Sequence, residues 1–356
     1  MLQNSHRLTR NTGGNKMKIR ALLAVAATLL LGLTAEPARS SAQPIVLKFP
    51  HDVPTNQIKG MGADRLKKLV AERMKGRVVV QVYPNGQLYP NERDAVEALQ
   101  QGAVHLVQPT FAKWTPVIPE FAIFELPFVI TSEEMMRKAM DSPELGGKLF
   151  TEKLRAKGMH PVGVSPNGFR DMGMRRKRIS RVEDFVGLKV RIQDSTTFNA
   201  FMKFAGAIPV PIGFAETYSA VSAGIVDGWE GPLDGTYASK MYEVAPVISL
   251  THHVFNAYLM ATNAKFWDGL PPDIRTELKG IIDEVIAWQW SYAEQSQKEA
   301  RTKLAALGVK LHEIDPAEKA RMVKHFRGVH QQFRDVVGQD MLDAMYKLAD
   351  QDMAAR

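Results

Sequence analysis

Apolar and polar positions along this chain follow two periods, and the switch between them marks out the elements. Ile45 to Phe49 and Val78 to Tyr83 are short β-branched and aromatic runs that read as strands. A turn through Pro54 and a helix to about Met74 lie between them, and Pro84-Asn85-Gly86 closes the second strand. A helix over Glu92 to Gln101 and a strand over Val104 to Val107 follow. Alternating strands and helices predict a mainly parallel sheet covered by helices.

A second unit of the same kind begins with a strand near Pro161 to Val164. Leu188, Val190 and Ile192 alternate with Lys189 and Arg191, the period of a strand with two unlike faces. Helices are predicted over Ser195–Ala205 and Glu216–Ala223, then Ile225-Val226-Asp227, and strands over Val247–Leu250 and Val254–Met260 lead back toward the first unit. Two chain crossings between units make a hinge. From Pro271-Pro272 to about Leu307 the pattern is helical, interrupted only by Gly280. At 1.5 Å per residue such a helix reaches about 54 Å, enough to brace both lobes. A coiled-coil seam is the rival reading, but Gln289, Ser291, Gln295 and Gln297 break the heptads.

The first residues carry a different signal. Met17-Lys18-Ile19-Arg20 is a basic stretch, Ala21 to Ala35 an apolar run of about fifteen residues, and Ser40-Ser41-Ala42 a set of small residues suited to cleavage. Residues 1–42 therefore read as a signal peptide preceded by an N-terminal extension, with Met17 as an alternative start. The apolar run is shorter than the roughly 20 residues of a membrane span. The expectation is export to the periplasm, with no membrane insertion once the leader is removed. There is no cysteine, which excludes thiol catalysis, thiolate metal sites and lipid attachment at a leader cysteine.

The formal charge of +8 falls to +3 without the leader, whose six basic and one acidic residue leave 40 and 37. That balance gives no basis for nucleic-acid binding. Arg175-Arg176-Lys177-Arg178 reads as a solvated loop. Phosphate-loop, dinucleotide, nucleophile-elbow and zinc-helix motifs are all missing. His252-His253 is adjacent on a strand, so the two point to opposite faces and suit one metal ion poorly. No cofactor or metal is expected, and an enzyme using His51, Asp52 or Glu230 lacks a nucleophile and base at a recognisable spacing. What the residues do offer is Arg191 at a strand end and Arg170 in Asn167-Gly168-Phe169-Arg170, just beyond a strand. Together the two guanidinium groups suit a clamp on one carboxylate. His51-Asp52 follows the first strand, where ligand sites of α/β sheets lie.

These residues fall within a longer series of motifs: LKFPHDVP, GRVVVQVYPNGQLYPNERDAVEALQQGAVHL, FAIFELPFVI, NGFRDM, GLKVRIQDS, GAIPVPIGFAETYSAV, GIVDGWEGP, YEVAPVISLTHHVF and NAKFWDGLP. In this order they resemble the solute-binding proteins of tripartite ATP-independent periplasmic (TRAP) transporters, the DctP family, over nearly all of the chain after the leader. The resemblance implies an α/β, two-lobed periplasmic-binding-protein-like fold with a hinge and a long helix bracing both lobes. Lobe 1 would comprise residues 43–167 and about 257–296, lobe 2 residues 168–256 and about 297–330. The long helix at 271–307 would span both, with a helical segment at 331–356. It also implies that Arg191 pairs with a ligand carboxylate and Arg170 assists, that Phe214 packs on the solute, and that Lys113, Asp52 and Thr110 supply polar contacts from the first lobe. Many relatives read aspartate, glycine, glutamine, glutamate, asparagine where this chain has Asp227-Gly228-Trp229-Glu230-Gly231. Gly231 removes the asparagine donor and is expected to open space for a bulkier acid. Trp229 is read either as core or as a residue at the pocket mouth, and Glu230 beside it as a site residue. The implied function is capture of an organic acid, a C4-dicarboxylate first and an aromatic or 2-oxo monocarboxylate as the alternative. Delivery to the small and large TRAP membrane subunits is implied with it, and a periplasmic ligand sensor is the rival role.

Overall fold

The structure, a computed structural model, describes residues 43–354. The predicted leader at 1–42 lies outside them. Strand β1 (Ile45–Pro50), helix α1 (Ile58–Met74), strand β2 (Val78–Tyr83) and helix α2 (Glu92–Gln100) follow the order set by the hydrophobic pattern. A two-residue strand β3 (Leu106–Val107) replaces the longer one expected there, followed by α3 (Glu133–Asp141). Next come β4 (Met159–Met174), β5 (Lys189–Ile192), α4 (Thr196–Phe204), β6 (Ile208–Pro211), α5 (Phe214–Ser222) and β7 (Gly228–Gly231). The chain continues through α6 (Leu233–Ala238), α7 (Met241–Val244), β8 (Val247–Asn263), α8 (Ala264–Asp268), α9 (Pro272–Ala306) and β9 (Lys310–Glu313). Helices α10 (Pro316–Gln331), α11 (Arg334–Val337) and α12 (Gln339–Ala354) end the described chain.

The sheets correct the parallel prediction. β1 and β2 pair in parallel as a separate sheet. The larger sheet runs β3-β8-β4-β7-β5-β6, with β9 on β8, and its centre is antiparallel: β8 pairs with both β3 and β4, and β4 with β7. Only β5–β6, β5–β7 and β8–β9 are parallel there. The cause is the pair of long strands, 16 residues in β4 and 17 in β8. Each was expected as shorter pieces; in β4, Pro161, Gly163, Pro166 and Gly168 interrupt the local strand pattern. A proline lacks the ladder N–H and a bulge bends its strand. Register shifts fall between Pro161/Gly163, Pro166/Gly168 and Arg170/Met172. Arg170 therefore sits inside a strand rather than in a loop beyond one.

Helix α9 runs unbroken over 35 residues and packs on α1, β4, α6 and β9. Among its central polar residues Ser291 and Gln295 face outward and bond within the helix, whereas Gln289 bonds inward. Gln289 is fully buried, donates to the Ile58 carbonyl at 3.2 Å and accepts from Gln108 Nε2 at 3.3 Å. Gly62 on α1 allows this approach, since a Cβ there would lie 2.3 Å from Gln289 Nε2. Leu47, Phe49, Leu66, Val70 and Ile281 form a core between β1, α1 and α9. A larger core gathers Phe111, Trp114, Phe121 and Phe124 with Phe198, Phe201 and Phe326. Each large apolar side chain so buried contributes about 1.5–3 kcal/mol.

Candidate ligand-binding site

The carboxyl end of β1, the start of α1 and α2, and the Thr110–Lys113 turn face β5, β7, α5 and the middle of β4 across a narrow cavity. Seven of the predicted site residues line it: Arg191, Arg170, Phe214, Lys113, Asp52, Thr110 and Trp229. Thr110 Oγ1 donates to Gln193 Oε1 at 2.6 Å, tying the two sides together. Gly231 and Glu230 are not in the lining.

Arg191 points inward from β5 and is 1% exposed. Its Nε donates to the Ile212 carbonyl at 2.9 Å, which fixes the plane of the guanidinium, and neither Nη has a protein partner among the described residues. Burial, with Arg170 nearby, brings its pKa down to about 10, so it remains a cation at neutral pH. Lys113 is buried and its Nζ has no hydrogen-bond partner among the described residues; burial and then Arg191 lower its pKa.

The other charges are matched within the protein. Arg170 does not extend freely into the cavity as a second clamp. Its Nε and Nη2 grip the Glu230 carboxylate, the latter at 2.8 Å, and Nη2 also donates to the Glu230 carbonyl at 2.8 Å. Glu230 is thus the counter-ion behind the wall. Burial alone would raise its pKa, but Arg170 and His253 hold it at about 2. His253 is buried on Phe201, while its neighbour His252 is half-exposed beside Asp171, so the pair diverges as adjacent strand residues do.

Sequence reasoning missed Lys59. It occupies the buried stripe of α1 with Ala63, Leu66 and Val70, and a lysine at such a position is the signal that was available. Its Nζ donates to Asp52 Oδ1 at 2.8 Å and to Glu92 Oε1 at 2.6 Å, and lies 4.6 Å from the Tyr258 ring centre. Burial would raise Asp52, but Lys59 overrides it and holds the carboxylate ionised. Burial and then Asp52 push Glu92 up to about 8. Lys59 thus favours the ionised form of Asp52, and Asp52 in turn opposes ionisation of Glu92. Gln193 was also missed, although alternation puts it on the side of Arg191; its Nε2 is buried without a partner among the described residues.

The Gly231 expectation is overturned. No space opens there, because the Trp229 ring fills it: a Cβ at Gly231 would stand 2.3 Å from Trp229 Cζ3. Trp229 belongs both to the core, at 1% exposure among Val221, Val226 and Met241, and to the cavity wall.

The model of the bacterial extracellular solute-binding protein family 7, DctP, matches residues 49–335. A similar relative is the C4-dicarboxylate-binding periplasmic protein DctP of Rhodobacter capsulatus, 34% identical over 90% of this chain and 95% of its own. A TRAP periplasmic solute-binding protein of Shewanella oneidensis, solved with bound succinate, superposes with a TM-score of 0.82 at 29% identity, covering 86% of this chain and 99% of that one. The sugar acid binding protein of Advenella mimigardefordensis, in complex with galactonate, gives 0.83 at 26% identity, covering 87% and 99%. Mixed α/β architecture, a cationic cavity and these likenesses agree: this chain belongs to the DctP family of TRAP solute-binding proteins, two-lobed components of transport that bind organic acids and are not enzymes.

Proposed function

We propose that the chain captures a C4-dicarboxylate in this cavity. The observation that carries the reading is the pair of buried cations, Arg191 and Lys113, that make no direct ion pair among the described residues, where Arg170–Glu230 and Lys59–Asp52 do. A buried charge is costly unless paired, so two unmatched cations favour a ligand with two carboxylates. Arg191 takes one carboxylate through its two Nη groups and Lys113 takes the other. The assigned lobes meet at Thr110–Gln193 and hinge on the bulged β4 and on β8. A ligand touching both sides favours the closed form by its differential affinity. The closed form is then what the TRAP membrane subunits recognise in the periplasm, after export directed by residues 1–42.

Calorimetry on protein lacking residues 1–42 tests this with succinate, fumarate and malate against pyruvate, benzoate and galactonate. Tight binding of the C4 diacids alone supports the reading. Preference for benzoate would favour an aromatic acid held between Trp229 and Phe214, and preference for galactonate a sugar acid.

A further inference from the structure

The indole of Trp229 lies flat on the sheet, and the residues beneath it are glycines. A Cβ on Gly231, two residues along β7, would stand 2.3 Å from Cζ3 and 2.5 Å from Cη2. A Cβ on Gly173, the β4 register partner of Trp229, would stand 2.7 Å from Nε1 and 3.0 Å from Cδ1. Non-bonded carbons settle at about 3.5–4.0 Å, so a side chain at either position displaces the ring. On its other flank Trp229 is the register partner of Arg191 across β5 and β7. Phe214 stands 6.1 Å from the indole, centre to centre, and 6.0 Å from the guanidinium carbon of Arg191. A carboxylate on Arg191 thus has aromatic surface beside it.

We propose that Trp229, seated on Gly231 and Gly173, is a specificity-determining residue. It limits the cavity next to Arg191 and makes that surface apolar. Short acids with unsubstituted methylene carbons beside the carboxylate are accepted, and polyhydroxylated aldonic and uronic acids are rejected. A hydroxyl pressed on the carbon face of the indole loses its water partners and gains none there, and a longer chain meets the ring. The inference rests on the dicarboxylate reading. It adds that residues 229 and 231 act as one unit, because only a residue without Cβ leaves room for the indole.

The test is a double-mutant cycle read by calorimetry with succinate and galactonate, with a thermal melt of each purified variant as the check on folding. Gly231→Ala is expected to weaken succinate binding at least tenfold in the native background and less than threefold in a Trp229→Ala background. Trp229→Ala is expected to raise the galactonate-to-succinate affinity ratio at least tenfold. A purely structural tryptophan would leave that ratio unchanged. If Trp229→Ala does not fold, Trp229→Phe serves for both comparisons, with a ratio change of at least threefold. The proposal is overturned if Gly231→Ala binds succinate within threefold of the native protein, or if the ratio does not move. A native protein that binds no C4 diacid rejects the dicarboxylate reading and this inference with it. A native protein that binds succinate while its variants keep the same ratio rejects only the role of Trp229.

Discussion

Replacing Arg191 by methionine separates binding from stability. The Nε–Ile212 bond at 2.9 Å aims both free Nη groups, so a ligand carboxylate gains two charge-assisted bonds of about 1.5–3 kcal/mol each. Their loss, about 3–6 kcal/mol, corresponds to roughly a 10²–10⁴-fold weaker affinity. Stability should behave differently. Burial lowers the guanidinium pKa to about 10, so the protein environment opposes the charge by an amount on the order of 3 kcal/mol. Methionine removes that cost, fills similar space and forfeits one bond to a backbone carbonyl worth about 1 kcal/mol. Arg191→Met is therefore expected to melt, without ligand, at or above the native temperature while binding is lost. Arg191→Lys keeps a cation but loses the two-pronged geometry, and should lie between the two. Calorimetry at pH 7 with the acid that binds best, alongside melts with and without it, gives both numbers. An affinity within threefold of native for Arg191→Met would refute the assigned site. A large fall in the ligand-free melting temperature would show that Arg191 is a structural cation.

Lys113→Met should cost C4 diacids more than tenfold in affinity and monoacids less than threefold; calorimetry showing equal losses would make the lysine structural. Glu230→Gln leaves Arg170 buried without its counter-ion and should cost about 3–5 kcal/mol of stability in chemical denaturation. Glu125, whose Oε2 accepts from Ser195 Oγ at 2.7 Å, is raised by burial from 4.5 to about 8. The folded chain keeps a proton that the unfolded chain releases between those values, so stability falls as pH rises through that window, by up to about 1.4 kcal/mol per pH unit. Glu125→Gln removes this dependence, and its advantage in melting temperature should grow from about pH 4.5 to 8 and then level off.

The elements were legible where the signal is local. Alternation marked β5, and α4 starts after Ser195, whose hydroxyl accepts from the backbone N–H of Thr197 and Phe198. Helix α9 was bounded to within a residue by its prolines and by the loss of pattern near Leu307. The order of motifs was enough to place the family, and it singled out Arg191, Lys113 and Phe214, which the fold brings to one cavity. The continuous β4 was not legible, because prolines hide a strand whose pairing is supplied by β8.

By itself, then, the sequence determined where most helices and the short strands form, which family the chain joins and which residues could meet an acid, since each depends on near neighbours or on a pattern spread along the chain. Only the tertiary structure decided which charges are free. Arg170 and Glu230 stand 60 residues apart, and Lys59 and Glu92 33 apart. Whether a buried ion is matched or left for a ligand depends on which distant group the fold brings within about 3 Å of it. The same holds for Trp229, whose ring fills the space over Gly231 because β4 sets Gly173 under its other edge.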